Sequence, residues 1–164
     1  MGAPALNDVL RHSAWATATL LEFCRGLDPS SLDAAAPGTY GTLYGTLQHI
    51  VGAEQWYLQL LTGEVIGRPV RRTERRTLDD LVTIAVATGA RGIALAADDA
   101  SRVIAMSDGR NSTVGVVLAQ LVHHGNEHRG QATTILGANG IDPPPLSAWE
   151  YGRATGISDA QDWR

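Results

Sequence analysis

A chain of 164 residues with a net charge of -4 fits one domain, able to bury roughly 70% of its unfolded surface. The acidic balance excludes a nucleic-acid surface, which requires a basic excess. No apolar run approaches the ~20 residues that span a bilayer, and a single cysteine excludes an internal disulfide. Met1-Gly2-Ala3-Pro4-Ala5-Leu6 lacks the basic start and apolar stretch of a secretion signal. Leu6 also breaks the myristoylation pattern. The expectation is a cytoplasmic protein with no membrane partner.

The first predicted helix covers residues 5–26. Leu6, Val9, Leu10, Leu20, Leu21 and Cys24 recur near a 3.6-residue period, and Gly26 and Pro29 end it. Cys24, among Leu20, Leu21, Phe23 and Leu27, is read as a small core residue. His12, three residues before Trp15, is a pocket-lining candidate. The second helix, 42–62, carries Leu43, Leu47, Ile50, Val51, Tyr57, Leu58 and Leu61 before Gly63. It is apolar over most of its circumference, as suits a helix with several neighbours. The connector 64–76 holds Arg68, Arg71, Arg72, Arg75 and Arg76. It is either a solvated link or a rim that attracts an anionic ligand.

A third helix, 77–97, starts from Thr77 with Asp80 three residues on, an imperfect capping box. The fourth, 113–137, follows Ser112 or Thr113 as cap. Its stripe is Val114, Val117, Leu121, His124, His128, Ala132 and Ile135, so both histidines stand in line with core positions. Pro143-Pro144-Pro145 prevents a helix at the start of the tail, 138–164, which Trp149 and Tyr151 should pack onto the bundle. Strand signals are scarce. The fold class expected is all-α: a single-domain antiparallel four-helix bundle with long connections, its helix order left open.

His124 and His128 stand four residues apart, so their side chains stack one turn apart on one helix face. Two imidazoles so placed can hold one metal ion, and His49, far upstream on another core-facing helix, offers a third nitrogen. Neutral imidazoles on a core stripe need several hydrogen bonds or a metal to offset desolvation. His123 is turned about 100° from His124 and should face solvent or a subunit contact. Gln131, nearly in line with His124, and Glu127, three residues after it, are candidates to steady a ring or a bound water. Glu54 lies on nearly the opposite face from His49 and is not taken as a general base.

Thr46-Leu47-Gln48-His49-Ile50-Val51-Gly52-Ala53-Glu54-Gln55-Trp56 resembles the first histidine motif of the DinB-like family. His124-Gly125-Asn126-Glu127-His128-Arg129-Gly130-Gln131 resembles the second, and His12-Ser13-Ala14-Trp15 and Pro143 to Tyr151 also fit. The likeness covers nearly the whole chain. It implies a four-helix bundle in which His49, His124 and His128 bind a divalent metal. It further implies a homodimer, a link to stress responses, and kinship with transferases and isomerases that use mycothiol or bacillithiol. Two positions depart from many relatives: Glu127, where they carry a second His, and Ser147, where they carry Asp.

Three nitrogen donors leave coordination positions open for water or substrate, as in catalytic sites. Zinc or nickel is the metal expected first, with iron or copper next, because imidazole suits all four. The leading reading is a metal-dependent thiol S-transferase or isomerase, with a low-molecular-weight thiol and a small-molecule substrate as partners. The alternatives are a metal-dependent hydrolase and a non-catalytic stress-related protein that binds a metal or another ligand.

Overall fold

The structure is a computed structural model that describes residues 4–160. Residues 1–3, which entered the secretion-signal and myristoylation readings, lie outside the described residues, as do residues 161–164 of the tail. Four long helices form the body: α1 (Pro4–Arg25), α2 (Leu43–Thr62), α3 (Leu78–Ala94) and α4 (Val114–Ala138). Each start from α2 onward is capped by a threonine hydroxyl, which takes up an N–H that the helix itself cannot satisfy. Thr42 accepts from Gly45, Thr77 from Asp80 and Thr113 from Val116. Thr113 is thus the cap of α4. Asp79 and Asp80 add negative charge to the first turn of α3, where the helix dipole favours it. Gly63 ends α2 in the left-handed conformation at φ 78, which an L side chain rarely adopts.

The helix order that the sequence left open is set by packing. α1 packs on α3 and α4, and α2 packs on the same two, so α1 and α2 lie across a diagonal of the bundle. The apolar interior falls into two clusters. Leu20, Leu21, Leu47, Val51, Leu81, Ile84, Ile135 and Leu136 belong to one. Leu10, Tyr57, Leu58, Leu95, Val117, Leu118 and Leu121 belong to the other. On each helix a buried polar residue separates the two sets: Ser13 and Thr17 on α1, Glu54 on α2, Thr88 on α3, and His128 and Arg129 on α4. A polar layer therefore crosses the middle of the bundle.

That layer is bonded through its own side chains. Thr17 donates to Glu54 at 2.8 Å and accepts from Arg129 Nη1 at 2.9 Å, which links α1, α2 and α4. Burial pushes the Glu54 carboxyl up, and Arg129 and Thr17 pull it down. Cys24 is a buried core residue, as expected, and burial pushes its thiol up to about 12.

Three features go beyond the sequence expectation. Residues 95–97 form a 3-10 turn rather than the last turn of α3. Val103–Ala105 (β1) and Asn111–Thr113 (β2) pair antiparallel around Gly109, with Ile104 opposite Ser112. Three-residue strands with one buried side chain, Ile104, leave no alternation to read. The tail forms α5 (Ala148–Thr155), capped by Ser147, whose side chain accepts from Glu150 N at 3.2 Å. Tyr151 is buried against the bundle, whereas Trp149 is exposed. Among the described residues one helical segment, Leu78–Ala97, is long and apolar enough by length and composition to cross a membrane. Asp79, Asp80 and Arg91 break its apolar sequence. Here its apolar residues Leu81, Ile84 and Ala85 lie in the bundle core.

Candidate metal centre

His49 comes from the first half of α2, and His124 and His128 from successive turns of α4, where these two helices pack together. One ring nitrogen from each lies within 4.8 Å of the other two. His124 Nε2 and His49 Nε2 stand 3.0 Å apart. The His49 ring meets the other two nearly edge-on, with centroids 4.8 Å from His124 and 4.6 Å from His128. Residues 75 positions apart in the chain thus converge on one point.

The neighbours fix the rings. Gln131 Oε1 accepts from the Tyr40 backbone N–H at 3.1 Å, which identifies that atom as the carboxamide oxygen. The same oxygen lies 2.9 Å from His128 Nδ1. Nδ1 therefore carries the proton, and Nε2 of His128 keeps its lone pair. Tyr40 also stacks on His49, with centroids 4.0 Å apart and planes 10° from parallel, and meets His128 edge-on at 5.3 Å. Tyr57 closes on His124 from the side at 5.7 Å.

Burial, then His128 and Arg72, hold the His49 imidazole below the ordinary histidine value. Burial, then His128 and His49, push His124 down to about 4, with Glu127 pulling the other way. Both rings are neutral near pH 7, the state in which imidazole binds a metal.

The donor set fits a divalent cation. Nitrogens about 2.1 Å from one zinc stand roughly 3.0–3.4 Å apart at right-angled to tetrahedral geometry, and the His49–His124 pair is at 3.0 Å. Without a cation these two Nε2 atoms can share only one proton. His124 Nδ1 is buried and has no hydrogen-bond partner among the described residues. In either tautomer that ring keeps an unmatched nitrogen, which costs about 1–3 kcal/mol.

A cavity of about 630 Å³ opens beside His49 and His124, walled by Tyr40, Tyr44, Trp56, Tyr57 and Val70, with Arg71 and Arg72 at one side. Its lining holds no carboxylate. The other sequence candidates fall elsewhere. Glu127 is exposed, 3.8 Å from the exposed His123. His12 donates from Nε2 to Leu146 O at 2.8 Å and sits against Trp15 and Tyr151, holding the tail rather than joining the three rings. Glu54 faces Thr17, away from His49. Sequence reasoning missed Tyr40: it lies in an irregular loop with no periodicity, and only its contacts with two of the three rings reveal it.

The comparisons agree with this architecture. A solved DinB-like protein from Bacillus cereus ATCC 10987 superposes with a TM-score of 0.63 at 21% identity, covering 83% of this chain and 91% of that one. At that identity the likeness speaks for the fold. No curated protein matches the chain. The model of the DinB family matches residues 1–162. A match of that length, over a helical bundle of this form, makes the chain a member of the DinB family.

Proposed function

We propose that His49, His124 and His128 hold one divalent metal, zinc or nickel ahead of iron or copper, in an enzyme of thiol S-transfer or isomerisation. The observation that carries this reading is the convergence of three imidazoles within 4.8 Å, two of which, His49 and His124, line an open cavity. A metal held there supplies Lewis acidity, which lowers the pKa of a coordinated thiol.

The chain's own residues do the rest. Gln131 holds His128 in the tautomer that presents Nε2, and Tyr40 packs the His49 ring in place. Trp56, Tyr57 and Tyr44 wall a space of the size that small ligands occupy. A thiol entering it loses its proton to solvent. The sulfur then attacks the electrophile, and the leaving group departs with the bonding pair.

Hydrolysis is the weaker reading, because the cavity lining offers no carboxylate to take a proton from water. The acidic net charge and the shape of the cavity support small molecules as partners rather than nucleic acid.

The test is elemental analysis of protein purified without an affinity tag, followed by turnover of an electrophile panel with and without low-molecular-weight thiols. Activity that needs both metal and thiol supports the reading. Equal rates in metal-free protein, or full rates without thiol, would overturn it.

A further inference from the structure

The connector between α2 and α3 carries five arginines, and the structure divides them. Arg68 stands 3.7 Å from Glu74 and 3.8 Å from Asp80. Arg75 lies 3.9 Å over the Tyr44 ring and 3.9 Å from Asp33. Arg76 is buried, donates to Pro69 O and pairs with Glu74 at 2.9 Å. Arg71 and Arg72 alone have no carboxylate within ion-pair distance among the described residues. Both line the cavity that holds His49 and His124.

The connector is pinned in this position. Gln48 donates to Arg71 O at 3.2 Å, Gln55 donates to Ile66 O and Arg68 O, and Val70 N donates to Gln55. Gln48 and Gln55 of α2 thus hold the segment that carries these two cations. Beside Gln48, His49 and His124, the remaining lining is aromatic, aliphatic or glycine, and none of it is acidic. The cavity lining thus combines two cations with aromatic rings.

We propose that this cavity selects small molecules that join an oxyanion, carboxylate or phosphate, to a flat apolar body. The Arg71 and Arg72 guanidiniums take the anion, and the rings of Tyr40, Trp56 and Tyr57 take the body. Guanidinium suits this task because its fork of N–H donors matches both anions, while the aromatic faces reward planar apolar groups. The proposal rests on the reading of this cavity as the substrate space of the metal centre, and it names the substrate class.

Calorimetric titration of benzoate, phenyl phosphate and benzamide tests it, on zinc-loaded and on metal-free protein. At least one anion is expected to bind about tenfold tighter than benzamide, as one charge-assisted contact allows, and high salt should narrow the gap. Comparing benzoate with phenyl phosphate tells carboxylate from phosphate. The preference should persist without metal, weaken in Arg71→Lys and Arg72→Lys, and vanish in the Arg71→Gln/Arg72→Gln double variant. Zinc affinity of that variant, measured against a chromophoric chelator, should not be lost. An anion preference seen only with zinc and retained by the Gln variant places the anion on the metal and overturns the proposal, as does no preference at all. If zinc fails to bind while the arginine-dependent preference holds, the metal reading falls and this one stands.

Discussion

Gln131 joins two parts of the molecule that share no secondary structure: its carboxamide oxygen accepts from the backbone N–H of Tyr40 and from Nδ1 of His128. The loop before α2 and the end of the histidine-bearing face of α4 are thereby coupled through one atom. A ligand ring whose other nitrogen is held in this way is oriented and made more basic.

Removing that atom should weaken the metal without harming the fold. Gln131→Ala is expected to lower zinc affinity by about 10- to 100-fold, read by competition with a chromophoric chelator, while the far-ultraviolet spectrum stays native. An unchanged affinity would show that the hydrogen bond to His128 plays no part in binding.

Because the ligands come from α2 and α4, metal should clamp these helices together. At a zinc concentration about 1,000 times its Kd, the native protein should gain about 4 kcal/mol, seen as a higher Tm. His49→Ala should abolish most of that gain, since it leaves the two nitrogens of α4 alone. A zinc-induced Tm rise of equal size in the variant contradicts the three-ligand site.

The depressed imidazoles make stability depend on pH in a defined sense. An unfolded histidine takes up its proton near pH 6.5, whereas His124 in the folded state does so only at about 4, and His49 is also lowered. Between those values the unfolded chain binds protons that the folded one refuses, so stability falls as the pH drops. Urea midpoints of metal-free protein should decline from about pH 6.5 toward pH 4, and less steeply in His124→Gln. A flat profile in the native protein over that window would falsify the assignment.

α1 and α3 pack closely at Ala14 and Gly89. A Cβ at residue 89 would sit 2.7 Å from the Ala14 Cβ, and neither atom belongs to a flexible side-chain end. Gly89→Ala should therefore destabilise by roughly 1–3 kcal/mol through overpacking, partly offset by about 1 kcal/mol of helix propensity. Combining it with Ala14→Gly should show a favourable coupling in a double-mutant cycle. Additive losses would mean that the helices part without strain.

The four long helices were legible because each carries its own information. The stripe Val114, Val117, Leu121, His124, His128, Ala132 and Ile135 sets the buried face of α4, and threonine caps mark the starts of α2, α3 and α4. The three histidines were legible as well, two by spacing and the third by its place on a second core-facing helix, to which the resemblance of its surroundings to a known motif was added. The hairpin and α5 were not, because three-residue strands and an eight-residue helix are too short for a period to show. The helix order, with α1 and α2 on a diagonal, was equally out of reach, since periodicity gives a buried face but not the neighbour that covers it.

Local spacing thus determined which faces of the helices turn inward and which imidazoles were available. Only the tertiary structure decided that His49 meets His124, that Tyr40 stacks on His49, and that Arg71 and Arg72 have no carboxylate partner among the described residues. These contacts join residues far apart in the chain, and their energies depend on distances that no single segment contains. Periodicity acts through the geometry of one helix, whereas a site made by several segments exists only once packing has brought them together.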